Sequence, residues 1–144
     1  MKKHKIKKKI EIQPTKTIKE AVDKANLYFD NAKDFLAKSS IKDDRYENEK
    51  YVREASGMGY LAATIAIRGY LFHHGIIKDR RKLPKSYDQY TMFIKKIPRN
   101  GKLMNYFNTV YEILHVDGYY EGQTNVKQIK AGFEGAKKII DIIA

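Results

Sequence analysis

An all-α fold, an up-and-down bundle of about five helices with four long and one short, is what this sequence of 144 residues predicts. Apolar residues recur at spacings of three and four along most of the chain, the period of a helix with one buried stripe. Two of these stretches open on a Thr or Ser followed three positions later by Glu or Gln, a pairing that satisfies free backbone N–H groups at a helix start. Beyond an N-terminal arm, no stretch alternates with the period of two expected for a strand.

Residues 1–14 read as a basic arm and residues 15–144 as one helical-bundle domain. The arm opens MKKHKIKKK, six lysines with no acid, and Pro14 closes it; Ile6, Ile10 and Ile12 alternate with polar residues as in a short extended segment. Thr17 and Glu20 form a capping box for a first helix. Its stripe is Ile18, Ala21, Val22, Ala25, Phe29, Ala32, Phe35 and Leu36, interrupted at Ser39 and Ser40. A polar connector leads to the longest helix, with Asp43 or Asp44 as its cap and Gly75 as its end. On this second helix Ala55, Gly59, Ala62, Ala66 and Gly69 make a seam of small residues, opposite the bulky set Tyr51, Met58, Leu61, Ile65 and Phe72. Such a helix touches neighbours on two sides, as the central element of a bundle must. Arg68 within it, together with Ser56, Gly57 and Gly59, argues against a membrane span.

A basic loop, KDRRKLPK, precedes Ser86 and Gln89, a second capping box for a short helix carrying Tyr87, Tyr90, Phe93, Ile94 and Ile97 before Pro98. The Asn100-Gly101 turn opens a fourth helix whose stripe, Leu103, Phe107, Val110 and Leu114, runs on to Asp117 and ends near Gly118. The loop DGYYEGQTN then leads to a last helix capped by Thr124 or Asn125, with Val126, Ile129, Phe133, Ala136, Ile140 and Ile143 as its stripe.

Composition narrows the chemistry. Without cysteine there is no disulfide framework and no thiolate metal or redox centre. Four histidines, at positions 4, 73, 74 and 115, form no metal-ligand pair on one helix face, so no metal and no cofactor is expected. Lys and Arg outnumber Asp and Glu by 29 to 17, a net charge of +12 that favours an anionic partner such as nucleic acid or a nucleotide. No apolar run follows the first lysines, so the chain reads as cytoplasmic.

Several residues stand out. Tyr111, His115, Tyr119 and Tyr120, with Tyr106, gather aromatic surface on the fourth helix and its loop, suited either to stacking on single-stranded bases or to bordering a small-ligand pocket. Asp117 ends an apolar stripe and Arg68 sits among apolar neighbours, so a pair of Arg68 with Asp117 or Glu112 is expected. Arg80 and Arg81, with Lys78, Lys82 and Lys85, offer an anion-binding loop. His73 and His74 suit the negative end of the second helix.

YVREASGMGYLAATIAIRGYLFHHG, KSYDQY and FNTVYEILHVDGYYEG, in this order, resemble the HEPN (higher-eukaryote-and-prokaryote nucleotide-binding) superfamily of helical bundles over about residues 16–143. More narrowly, YEILHVDGYYEG is similar to the signature of a small bacterial family of unknown function. The superfamily resemblance implies a binding module that dimerises or serves a protein partner. In its RNA-cleaving members an Arg is followed four to six residues later by His. That implies, as an alternative, a metal-independent ribonuclease in which Arg68 stabilises phosphorane charge and His73 or His74 acts as acid or base. Here Gly69 follows the arginine where that motif carries a polar residue, and the pair ends the second helix rather than a later one.

Overall fold

The computed structural model describes residues 15–144, and the expected arm, with Ile6, Ile10 and Ile12, lies outside them. Five α-helices form the bundle: α1 (Ile18–Leu36), α2 (Glu49–His73), α3 (Tyr87–Ile94), α4 (Gly101–Val110) and α5 (Val126–Ile143). α4 continues without interruption into a π-helical segment, Tyr111–Tyr120. No helix among the described residues is long and apolar enough to cross a membrane.

Local chemistry starts the helices as expected at three places. Thr17 Oγ1 accepts from Glu20 N at 3.0 Å, Ser86 Oγ from Gln89 N at 3.2 Å, and Asn125 Oδ1 from Gln128 N at 2.9 Å. The start of α2 differs. Asp43 and Asp44 do not cap it; both take positive φ, 52° and 63°, in the turn of a two-strand hairpin, β1 (Ile41–Lys42) with β2 (Arg45–Tyr46). Two consecutive left-handed residues are the requirement of a tight hairpin turn, and Asp tolerates that conformation. Asn48 caps α2 instead, accepting from Lys50 N at 3.1 Å. The hairpin is held to the start of α5 by Tyr46 N donating to Thr124 O and Val126 N to Asp44 O.

α2, about 37 Å long at 1.5 Å per residue, is the central element. Its small residues Ala55, Gly59, Ala62, Ala66 and Gly69 are all buried. They serve two neighbours rather than one. Gly69 faces Ala21 of α1, whereas Gly59 faces Phe133 of α5 and Leu114 of the π segment. Phe29 and Phe133 meet edge to face across α1 and α5, with ring centroids 6.0 Å apart. Leu103, Phe107, Val110 and Leu114 are buried as expected, but the stripe continues at Gly118, not at Asp117. Bonding from i to i+5 widens the turn, so the step that returns to one face lengthens toward four and five. Asp117 is thereby turned aside, and its carboxylate accepts from Gln128 Nε2 at 2.8 Å.

Gly118 is the tightest point of this packing. A methyl group there would stand 2.6 Å from Ser56 Cβ and 3.1 Å from Ile113 O, whereas one at Gly101, the exposed first residue of α4, would meet nothing within 4 Å. Gly118→Ala is therefore expected to destabilise the fold by about 1–3 kcal/mol through overpacking. Gly101→Ala, by contrast, is expected to be neutral or to stabilise by up to about 1 kcal/mol. Urea unfolding of the two variants, followed by circular dichroism, checks both; equal midpoints would show that α2 and the π segment can part without cost.

Candidate functional site

The π segment sets aromatic rings in a row. Tyr111 and His115 have ring centroids 5.1 Å apart, and His115 lies 6.2 Å from Tyr119 and 5.1 Å from Tyr120. Tyr60 of α2 stacks on His115 at 4.5 Å with 30° between planes, and Tyr87 of α3 meets Tyr111 at 4.6 Å. The Tyr87 hydroxyl donates to Asn108 Oδ1 at 2.6 Å. Burial raises the Tyr60 pKa above its ordinary value, with smaller contributions from Tyr90 and Tyr111, so this phenol stays neutral throughout the working range of pH. Tyr106 has no ring contact with the others among the described residues, so the structure brings together Tyr111, His115, Tyr119 and Tyr120 and leaves Tyr106 apart.

Arg53 closes the end of this row. One of its guanidinium nitrogens donates to Tyr119 O at 3.0 Å and to Tyr120 O at 2.7 Å, and Nε pairs with Glu49 at 2.7 Å. These carbonyls belong to the last turn of a helix, which has no later residue to satisfy them.

Arg68, His73 and His74 have separate partners. Arg68 donates to Pro84 O and lies beside Tyr90, whose hydroxyl is raised in pKa by burial and lowered part of the way back by Arg68 and Thr64. The expected carboxylate pair, with Asp117 or Glu112, is not formed among the described residues: Asp117 turns toward Gln128, and Arg68 donates to the Pro84 carbonyl. His73 Nε2 shares a 3.0 Å hydrogen bond with Thr15 Oγ1, and the His74 ring stacks on Tyr70 at 4.0 Å. Arg80 donates to Thr15 O at 3.0 Å and lies over the Phe72 ring at 3.8 Å. Arg81 pairs with Asp79 at 3.1 Å. Thr15, where the six-lysine arm joins the bundle, is thus fixed at the C-terminal end of α2.

Charge is segregated along the chain as well. Residues 78–102 hold nine Lys or Arg against Asp79 and Asp88, a net +7. Residues 1–14 contribute +5, so the rest of the chain is neutral against the total of +12. All nine of these cations are exposed, and among the described residues only Arg81 of the nine has an ion pair. Lys95, Lys96, Arg99 and Lys102 extend the loop that the sequence reading singled out; the signal was the lack of any acid between Asp88 and Glu112. Tyr60, Tyr87 and Arg53 also belong to the site, and only Arg53, four residues after Glu49, had a sequence signal. Among the described residues no three His, Asp or Glu gather as metal ligands.

Residues 20–144 match the family model described as "Domain of unknown function (DUF5618)", and the chain belongs to that family. It is similar to the solved structure of a protein of unknown function from Dyadobacter fermentans, with 33% identity and a TM-score of 0.77 over 89% of this chain and 97% of that one. No curated protein matches.

Burial lowers the pKa of His115, the ring at the middle of the aromatic row. The unfolded chain therefore binds this proton more readily than the folded one, and stability falls as pH drops below the ordinary imidazole value of about 6.5. Above that value both states are neutral and the cost vanishes. His115→Gln is expected to lose less stability than the parent protein between about pH 7.5 and pH 5, measured by urea unfolding. Identical losses would show that the ring is solvated.

Proposed function

We propose that this DUF5618 member is a non-enzymatic binding module for the phosphate backbone of a nucleic acid, acting through residues 78–102 and the arm that joins at Thr15. The observation that carries this reading is the charge segregation along the chain: residues 15–144 have their whole excess of +7 in one stretch whose nine cations are exposed, and Arg80 of that stretch and His73 at the end of α2 both bond Thr15, to which a further +5 is attached. Cations without carboxylate partners keep their counterions until a polyanion replaces them, and the release of those ions drives binding. The resemblance to HEPN bundles, whose name refers to nucleotide binding, supports the same partner, and a cytoplasmic setting goes with it. In this reading Arg68 anchors the connector through Pro84 and His73 anchors Thr15, while His74 stacks on Tyr70 within α2, and the three are not a catalytic set.

The test is fluorescence anisotropy with a labelled RNA oligonucleotide between about 50 and 200 mM salt. Affinity is expected to fall steeply with salt. Replacing Lys95, Lys96 and Arg99 by Gln should flatten the logarithmic slope by about two, at roughly 0.7 per phosphate contact for a single strand. Deleting residues 1–9 should flatten it further, whereas Gln at Lys127, Lys130 and Lys138 should leave it unchanged. Salt-independent binding, or equal slopes for all variants, would overturn the proposal.

A further inference from the structure

An open cavity of about 510 Å³ is lined by α1, α5 and β2, and none of its residues belongs to the aromatic row or to residues 78–102. Its floor is apolar: Phe29 and Leu36 of α1, Phe133 of α5 and the ring of Tyr46, each less than a tenth exposed. Lys33, Lys130 and Lys137 stand at its rim with Glu134, three ammonium groups against one carboxylate and so a net +2. Two of these lysines reach over the floor. Lys33 Nζ and Lys137 Nζ lie 5.9 and 6.0 Å from the centre of the Phe29 ring, whose face attracts a cation. Lys137 is fixed further by donating to Asn26 Oδ1 at 3.0 Å and by a 3.5 Å pair with Asp141. Lys33 and Lys130 have no carboxylate partner among the described residues, and Glu134 pairs with none of the three.

The Tyr46 hydroxyl has no role in holding the fold. Tyr46 is 5% exposed, and its own N–H, bonded to Thr124 O at 2.9 Å, ties it to the start of α5. Its hydroxyl makes no hydrogen bond among the described residues, although phenylalanine would fill the same space without desolvating a polar atom. Only Ser56 Oγ is wholly shut away without a partner among the described residues, so the Tyr46 oxygen still meets solvent, and the cavity is the open space that this residue lines. Burial raises the Tyr46 pKa, which keeps the phenol a hydrogen-bond donor at neutral pH. From these observations we infer that the cavity binds a small amphiphilic carboxylate, its alkyl or aryl body on Phe29, Leu36 and Phe133 and its charge taken by Lys33, Lys130 and the Tyr46 hydroxyl. The two halves of such a ligand are needed together. A neutral hydrocarbon leaves the ammonium groups without a partner, and a bare anion leaves the aromatic floor uncovered. A single carboxylate suits a rim where one acid already stands among three bases. This site and the phosphate-binding reading are independent of each other.

Full-length protein is titrated by calorimetry with octanoate, with octanol, which has the same chain and no charge, and with butyrate, which has the charge and a shorter chain. Octanoate is expected to bind at one site per chain, about tenfold more tightly than either, since a charge-assisted hydrogen bond and a few covered methylenes are each worth about that factor. Lys33→Gln with Lys130→Gln should weaken octanoate about tenfold, to the level of octanol. Tyr46→Phe should weaken it about fivefold, in keeping with one lost hydrogen bond, and leave the urea midpoint no lower than that of the parent. Gln at Lys95, Lys96 and Arg99 should leave octanoate binding unchanged. Absence of one-site binding by the parent protein overturns the inference whether or not any variant folds. So does equal affinity for octanoate and octanol, or for octanoate and butyrate, and so does parental affinity in either the double lysine variant or Tyr46→Phe.

Discussion

The close approach of α2 to its neighbours is the constraint on which the rest of this bundle depends. Helices pack with axes 8–10 Å apart according to the side chains between them, so small residues on α2 decide how near each partner comes. Gly69 admits α1, and Gly59 admits Phe133 and Leu114. At Ser56 the space is so limited that only glycine fits opposite, and the π segment has Gly118 there. The cost is visible as well. Ser56 Oγ is buried without a hydrogen-bond partner among the described residues, a desolvation that the surrounding contacts must outweigh.

From this packing the aromatic row follows. A π-helix is rarely sustained beyond one turn, and here it lasts ten residues, against α2 along one side and α5 along another. Wider turns carry Gly118 inward, Asp117 toward Gln128, and Tyr111, His115, Tyr119 and Tyr120 onto the remaining side. Arg53 satisfies the carbonyls that the last turn leaves open. The packing that closes the core therefore also sets where the backbone presents the exposed rings.

How much of this was legible in the sequence varies with the range of the interaction involved. Capping at Thr17, Ser86 and Asn125 is written in adjacent residues, and the stripes of α1 and α5 lie within one helix each, so both were readable. Asp43 and Asp44 were not, because Asp suits a helix cap and a left-handed turn equally well, and the choice is made by the bonds from Tyr46 and Val126 across the bundle. The π segment was hidden by a similar ambiguity. After Val110 and Leu114, a step of three leads to Asp117 and a step of four to Gly118, and only the contact with Ser56 decides between them. Within the site, His115 and the tyrosines were evident as residue types, but Tyr60 and Tyr87 come from other helices and have no signal in spacing. Arg68 shows the limit most plainly, since its partner is a backbone carbonyl that no side-chain pattern encodes.

The tie between the hairpin and α5 bears on how the chain assembles. Its bonds join residues 44 and 46 to residues 126 and 124, a long separation for main-chain pairing, whereas α1 and α2 are consecutive helices with only the hairpin and its flanking turns between them. Closing a large loop costs entropy before its contacts return any stability, so local pairs form early and distant ones late. In kinetic terms, α1 and α2 are expected to pair early, and the hairpin to clasp α5 only as the bundle closes.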